Sequence, residues 1–129
     1  MLYNKCILVY GLNIKELYEL RKANLTTLII TKEMSNMKLK DIIDGTRNLV
    51  DDDNIPNEKV ILFYGYSSIE LKETIKIVRK FITGGLLAGV TPVSINWTFK
   101  YLISHLMQER EWIEDNRRDD KSWVELGRR

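Results

Sequence analysis

Two short segments hold residues whose types and spacing could bind a ligand, and the first is Tyr64-Gly65-Tyr66-Ser67-Ser68. An apolar run ends at Gly65 and a helix pattern follows, so the unpaired amides at the start of that helix could bind an anion. The segment has one glycine and lacks the further glycines of dinucleotide-binding and nucleotide-binding loops. The alternative is a tight turn that needs a residue without a Cβ. Gly65, Tyr66 and Ser67 are therefore candidate binding residues for a small anionic ligand.

The second segment is Thr91-Pro92-Val93-Ser94-Ile95-Asn96-Trp97. Pro92 would stiffen the chain where it leaves a strand, Ser94 is predicted to cap the last helix, and Trp97 is expected in the first turn of that helix. One interpretation is a rigid joint between strand and helix, with the tryptophan packed on the sheet. The other is a ligand or partner site lined by Thr91, Asn96 and Trp97.

The residues expected of a catalytic or metal site are missing from the sequence. The single cysteine, Cys6, lies within an apolar run, and the single histidine, His105, lies within a helix pattern far from it. This pair cannot make a zinc site of four ligands, and neither residue has an evident partner for nucleophilic catalysis. Glu16 and Glu70 could form a carboxylate pair but are more simply acidic residues at the starts of helices. We therefore predict no catalytic residues, no metal and no cofactor, and the sequence favours a protein that is not an enzyme.

The elements that position these segments occur twice along the chain. Residues 5–11 (KCILVYG) match residues 59–65 (KVILFYG), and Glu16-Leu17 matches Glu70-Leu71, both at an offset of 54 residues. At an offset of 60 residues there are four further single-residue matches, which pair Thr31, Asn36, Lys40 and Ile43 with Thr91, Asn96, Lys100 and Ile103. Repetition at a fixed spacing indicates an internal duplication.

Each copy is predicted to form a strand, a helix, a second strand and a second helix. The first strands are Cys6–Tyr10 and Val60–Tyr64, and the second strands are Thr26–Thr31 and about Leu86–Thr91. Asn13 and Ser67 are predicted caps of the first helices, and the last helices are expected over about 36–49 and 95–114. We predict an α/β fold in which tandem βαβα copies, related by pseudo-two-fold symmetry, form a four-stranded sheet packed by helices.

The predicted organisation is one compact structural domain with four parts. These are a first copy over residues 1–50, an acidic connector over 51–58, a second copy over 59–114 and a charged tail over 115–129. The two strands of each copy should run parallel because a helix joins them. Gly65 and Thr91 would then leave the sheet at the same edge, which is where open α/β sheets bind ligands.

The composition excludes several classes of protein. The 129 residues carry 20 basic and 18 acidic side chains without a basic stripe, so nucleic-acid binding is not indicated. The apolar runs are far shorter than the roughly 20 residues that span a bilayer, and a single cysteine fits a reducing compartment. We therefore predict a cytoplasmic protein that does not bind a membrane, and homo-oligomerisation stays open. The tail contains Trp123, Val124 and Leu126, which would either dock on the protein's own core or bind a protein partner.

Part of the second copy also carries a resemblance to a known family. The residues concerned lie within 59–111 and are Val60 to Tyr66, Glu70-Leu71, Ala88-Gly89-Val90-Thr91-Pro92, Trp97, Thr98, Leu102, Leu106 and Glu109. Over this stretch the chain resembles the uncharacterised domain-of-unknown-function family 3783. At one position between Pro92 and Trp97 the resemblance leads us to expect an asparagine, and there the chain has Ser94, with Asn96 nearby. The resemblance implies a small bacterial α/β domain and implies no reaction.

The sequence thus favours a small non-enzymatic binding or regulatory module of unknown function. Its site would be the strand-exit edge near Gly65 and residues 91–97. One alternative is a small enzyme acting on an anionic metabolite held at residues 65–68. The other is a protein-interaction subunit that uses the tail with Trp123.

Overall fold

A computed structural model describes residues 4–46, Leu49 and residues 55–116, with residues 111–116 described by their backbone alone. Along the chain its strands and helices are β1 (Cys6–Tyr10), α1 (Ile14–Lys22), β2 (Thr27–Ile29), α2 (Leu39–Asp44), β3 (Val60–Tyr64), α3 (Ser68–Val78), β4 (Leu86–Gly89) and α4 (Phe99–Asn116). Short 3₁₀ turns, Lys32–Met34 and Ser94–Asn96, precede α2 and α4. The predicted α/β alternation is confirmed.

The four strands form one open sheet in the order β2-β1-β3-β4. Strand β1 runs parallel to β2, and β3 runs parallel to β4, as predicted, while the central strands β1 and β3 are antiparallel. Leu8 pairs with Leu62 at the middle of that central pair. We call β1 to α2 the first half and β3 to α4 the second half. Because β1 and β3 are antiparallel, the strands of the two halves point in opposite directions. The carboxyl ends of β3 and β4 therefore lie at one edge of the sheet, and those of β1 and β2 lie at the opposite edge.

Helices cover both faces of the sheet because successive side chains of a strand point to opposite faces. Leu8 and Leu62 belong to a buried cluster that includes residues of α2 and α4. Ile7 and Ile61 belong to a second buried cluster, which includes residues of α1 and α3. The apolar runs of β1 and β3 are therefore continuous because each strand is buried on both faces.

The predicted starts of the first helix in each half are confirmed. Asn13 and Ser67 each accept a hydrogen bond on their side chain from the backbone N–H three residues later. The carboxylates of Glu16 and Glu70 in turn accept from the backbone N–H of those two cap residues. Both helices thus begin in a capping box, which satisfies amides that would otherwise lack partners.

The last helix of each half is shorter than predicted at its start. Helix α2 spans only Leu39–Asp44 and ends at Gly45, whose φ of 80° leaves the helical region. Helix α4 begins at Phe99, so Trp97 precedes the helix and does not lie in its first turn. The Oγ1 atom of Thr98 accepts the N–H of Tyr101, and it caps α4 in the place predicted for Ser94.

Two ion pairs join the start of a central strand to the start of a helix in the other half. Lys59 Nζ lies 2.6 Å from Glu16 Oε2, and Lys5 Nζ lies 2.8 Å from Glu70 Oε2. The glutamate side chains differ in burial, since Glu16 is 8% exposed and Glu70 is 47% exposed. Burial alone would raise the pKa of Glu16, but the hydrogen bond from Lys59 and the N–H of Asn13 hold it below its ordinary value. The hydrogen bond from Lys5 and those at the helix cap lower the pKa of Glu70 to about 2.

The two 3₁₀ turns also bring the halves into contact. The N–H of Leu39 donates to the carbonyl oxygen of Trp97 at 3.0 Å, and the N–H of Phe99 donates to that of Met37 at 3.0 Å. Lys38 and Thr98 form an isolated antiparallel bridge between these two bonds. The segment that holds Trp97 is therefore fixed by backbone hydrogen bonds to the other half.

The predicted connector and tail lie partly or wholly outside the residues that the structure describes. Trp123, Val124 and Leu126 of the predicted tail lie outside the described residues, as do residues 51–54 of the connector. In the remainder of the connector, Ile55 is buried. The carboxylate of Glu58 accepts two hydrogen bonds from the Arg110 guanidinium of α4, from Nη1 at 3.1 Å and from Nη2 at 3.0 Å.

The described helices include none that combines the length and the apolar character needed to cross a membrane.

Candidate functional site

Gly65 directly follows β3, at a point where its backbone approaches that of Asn4 and Lys5 closely. Its φ is +83°, and a Cβ at this position would collide with the carbonyl oxygen of Asn4. The neighbouring Tyr66 packs edge-on against Phe63, with 5.7 Å between ring centroids, and the Lys5 ammonium lies 4.9 Å from the Tyr66 ring centroid. Burial raises the pKa of the Tyr66 hydroxyl. These contacts account for Gly65 and Tyr66 through the packing of the turn.

The start of α3 already holds an anionic group, which is the carboxylate of Glu70. Its Oε1 accepts the N–H of Ser67 at 3.0 Å, while its Oε2 contacts Lys5. The Ser67 hydroxyl accepts the N–H of Glu70 at 3.2 Å. An external anion at this helix start would have to compete with a carboxylate that is part of the chain.

A cavity of about 370 Å³ opens beside the carboxyl end of β4. Its walls are contributed by β4, the segment leading to α4, and the first half of α4. The lining residues are Gly89, Thr91, Val93, Ser94, Trp97, Leu102 and His105. Of these, Thr91 and Trp97 were predicted site residues. None of the described lining residues carries a Lys, Arg, Asp or Glu side chain.

Thr91 and Ser94, which both line the cavity, hold each other in place through hydrogen bonds. Thr91 Oγ1 accepts the N–H of Ser94 at 2.9 Å, and Ser94 Oγ accepts the N–H of Thr91 at 2.9 Å. The spacing Thr-Pro-x-Ser permits this reciprocal pair because the two hydroxyls stand three residues apart across the turn that precedes α4, and Pro92 lies between them where no backbone N–H is needed. The two hydroxyl oxygens lie 3.2 Å apart, and Ser94 is 5% exposed.

Trp97 forms an aromatic wall together with two residues of α4. Its ring centroid lies 4.9 Å from that of Tyr101 and 5.0 Å from that of His105, both edge-on. The His105 Nε2 atom lies 3.4 Å from Oε1 of Glu109, a carboxylate that is 8% exposed. Packing on two rings restricts the rotation of the Trp97 indole, so this side of the cavity is rigid.

The remaining predicted residues lie apart from this cavity. Asn96 is exposed, and its Nδ2 donates to the carbonyl oxygen of Pro92 at 3.5 Å. Gly65, Tyr66 and Ser67 follow the neighbouring strand and do not line the cavity.

Sequence reasoning treated His105 as an isolated histidine and Ser94 only as a cap, so it missed both as lining residues. The signal for His105 was its spacing of four residues from Tyr101 and from Glu109, which places the three on one side of a helix.

The cavity has the chemistry of a binding site for a small molecule. Its wall is mainly apolar, and the hydroxyls of Thr91 and Ser94 and the imidazole of His105 supply a few polar groups. Within the described ranges, no group of three or more His, Cys, Asp and Glu side chains is placed to hold a metal ion. Cys6 is buried in the core, and that burial raises the pKa of its thiol to about 11.

A second, smaller cavity of about 140 Å³ lies beside β2. Five of its lining residues precede lining residues of the larger cavity by 60 positions, namely Ile29, Met34, Met37, Ile42 and Gly45, which correspond to Gly89, Ser94, Trp97, Leu102 and His105. At these positions the smaller cavity has only apolar side chains or none, whereas the larger one has a hydroxyl, an indole and an imidazole.

The second half of the chain matches a known protein family. No curated protein and no solved structure matches the chain. All residues that line the larger cavity fall within residues 59–113, and these residues match the sequence profile of a family described as a domain of unknown function (DUF3783).

Proposed function

We propose that the protein is a small non-enzymatic binding module whose ligand occupies the cavity lined by Thr91 and Trp97. The observation that carries this proposal is the cavity itself, about 370 Å³ at the carboxyl edge of β4. It falls in the size range of small-molecule sites and has their usual make-up, a mainly apolar wall with a few fixed polar groups. Asn96 is exposed beside Trp97 in the chain, and the proposal gives it no contact with a ligand in the cavity.

The rigidity of the wall supports binding without large rearrangement. Thr91 and Ser94 are held by reciprocal hydrogen bonds, and Trp97 is held by two aromatic neighbours and by a backbone bond to Leu39. A site that is already shaped for its ligand loses little conformational freedom on binding.

The proposal includes an origin of the site in a tandem duplication with pseudo-two-fold symmetry. Its support is the set of paired features at fixed offsets. Lys59–Glu16 and Lys5–Glu70 are matching ion pairs, and the two cavities share five lining positions. In this view both halves inherited a cavity at the strand exit, and only the second acquired polar and aromatic lining residues.

The enzyme and the interaction subunit, the two alternative functions, have less support. An enzyme acting on an anionic metabolite at residues 65–68 would need an anion at a helix start that Glu70 already occupies. An interaction subunit using Trp123 would depend on residues outside the described ranges. A cytoplasmic location in a bacterium remains part of the proposal, and a single cysteine that is buried and unpaired supports a reducing compartment.

The test is a screen of small neutral, anionic and cationic compounds by thermal shift, followed by amide NMR spectra of the full chain with each stabilising compound. Binding in the cavity should raise Tm and shift the amide signals of residues 89–97 and 102–105. Val93 lines the cavity and is 62% exposed, so Val93→Phe should block the cavity without disturbing the core.

The matched control is Ile69→Phe. Ile69 is 75% exposed on α3, which packs on the opposite face of the sheet. We expect Val93→Phe to abolish the shifts and Ile69→Phe to retain them. The proposal fails if no compound moves the amides of the cavity, or if Val93→Phe binds as tightly as the wild type.

A further inference from the structure

The hydrogen-bond pattern around Ser94 leaves one donor directed to no described residue. Thr91 Oγ1 accepts the N–H of Val93 at 3.2 Å and that of Ser94 at 2.9 Å, so its two lone pairs are used. It must therefore donate its own proton to Ser94 Oγ, which lies 3.2 Å away. Ser94 Oγ also accepts the N–H of Thr91, so both of its lone pairs are used as well. The proton of the Ser94 hydroxyl remains, on a side chain that is 5% exposed and lines the cavity.

The rest of the wall restricts the charge and shape of what could accept that proton. None of the described lining residues carries a Lys, Arg, Asp or Glu side chain, so a charged ligand would lose hydration without gaining an ion pair. His105 also lines the cavity, but its Nε2 already has a carboxylate neighbour, Oε1 of Glu109 at 3.4 Å. It therefore does not offer an anionic ligand an unpaired positive charge. The Trp97 ring and Leu102 present apolar surface to a ligand, and an indole packs well on a flat ring.

We infer that the ligand is an uncharged, flat and mainly apolar molecule that carries one hydrogen-bond acceptor, such as a carbonyl oxygen, bound by the Ser94 hydroxyl. This inference rests on the proposed function and makes it more specific. A buried hydroxyl proton without an acceptor is unfavourable, so a ligand that supplies the acceptor gains more than one that only fills space. Ser94 is then a specificity-determining residue as well as part of the reciprocal pair with Thr91.

Four probes of nearly the same shape test the inference. Each has a benzene ring with a small planar group: acetophenone has a neutral carbonyl acceptor, α-methylstyrene has no acceptor, benzoate is an anion and benzamidine is a cation. Dissociation constants are measured by amide NMR titration at pH 8. We expect acetophenone to bind about fivefold more tightly than α-methylstyrene, as one hydrogen bond would give. Benzoate and benzamidine should bind at least about tenfold more weakly than acetophenone.

The variant Ser94→Ala separates recognition from stability. It removes the hydroxyl donor and also an acceptor for the N–H of Thr91, so it should lower Tm. Its affinity for α-methylstyrene should nevertheless stay within about twofold, while the preference for acetophenone disappears. Ser94→Thr retains a hydroxyl and should restore both the preference and the stability.

The inference is overturned if acetophenone and α-methylstyrene bind the wild type equally, if the preference survives in Ser94→Ala, or if a charged probe binds most tightly. In each of these cases the cavity still binds, and the proposed function stands. It also fails if none of the four probes binds while compounds from the wider screen do. If no compound of any kind moves the cavity amides, the proposed function fails and the inference fails with it.

Discussion

Replacing Glu16 by glutamine should measure what the buried ion pair with Lys59 contributes to folding. The change retains the capping box, because a glutamine oxygen can accept the N–H of Asn13 as the carboxylate does at 2.9 Å. It removes the charge that faces Lys59 Nζ at 2.6 Å. A hydrogen bond to a charged group contributes about 1.5–3 kcal/mol. Since the Lys59 side chain is 34% exposed and can be hydrated, we expect the lower end, about 1.5 kcal/mol.

The assay is urea unfolding followed by circular dichroism. With a slope of about 1.5 kcal/mol per molar urea, the midpoint of Glu16→Gln should fall by about 1 M. The matched control is Glu70→Gln at the equivalent position of α3. Lys5 and the cap hydrogen bonds lower the pKa of Glu70 to about 2, but the side chain is 47% exposed and its pair with Lys5 is screened by water, so its loss should move the midpoint much less than the loss of the Glu16 charge.

The pH dependence gives the assay a second readout. The folded pKa of Glu16 lies below its ordinary value, so the ion pair stabilises the fold fully above the unfolded pKa of about 4.3. That stability is lost as the pH falls through the lower, folded pKa. The difference between wild type and Glu16→Gln should thus be constant above about pH 5 and should shrink at lower pH. Equal effects of Glu16→Gln and Glu70→Gln, or a difference that persists undiminished at acidic pH, would refute the reasoning.

Three further predictions concern the turn at Gly65, the cavity wall at Thr91 and the buried Cys6. Gly65→Ala should destabilise the fold by several kcal/mol more than Gly84→Ala in urea unfolding. Both glycines have positive φ, but a Cβ meets backbone at Gly65 and open space at Gly84. Equal costs would contradict the close approach. Thr91→Ala should cost about 1 kcal/mol and Thr91→Ser much less, because serine keeps the acceptor for the two amides of the turn; a serine variant as unstable as the alanine one would exclude this role. Cys6, buried and with a pKa raised to about 11, should react with a disulfide reagent at pH 8 far more slowly in the folded than in the unfolded protein. Rapid labelling without denaturant would show the thiol to be accessible.

The sequence predicted those parts of the fold that depend on local patterns. The apolar runs at Cys6–Tyr10 and Val60–Tyr64 became the two central strands, and the capping box at Ser67 began α3 where expected. Parallel pairing within each half followed from the length of the connection, because a helix must fit between the strands. These features are set by neighbours in the chain, which a sequence displays directly.

The features that the sequence left open depend on contacts between distant residues. Whether β1 and β3 run parallel or antiparallel is decided by pairing across about 54 residues, for which no local signal exists. Trp97 was expected inside a helix, but its N–H closes the 3₁₀ turn onto Ser94 and its carbonyl accepts from Leu39 in the other half. His105 joins the cavity only because α4 packs beside β4 and brings the ring against Trp97.

The difference in volume between the two cavities follows from which side chains stand at equivalent positions. In the first half, Ile29 and Met34 line a space of about 140 Å³, and Met37 beside them is 5% exposed. In the second half, glycine and serine stand 60 positions later, and the space is about 370 Å³. Apolar surface that lines such an opening stays unburied, so the fold gains no burial free energy from it. The first half accommodates larger side chains beside β2 and leaves a smaller opening there, so an opening as large as that beside β4 is not a general requirement of packing at the end of an outer strand. A protein that keeps an opening of this kind gives up stability for it, and such losses are characteristic of sites that bind a ligand.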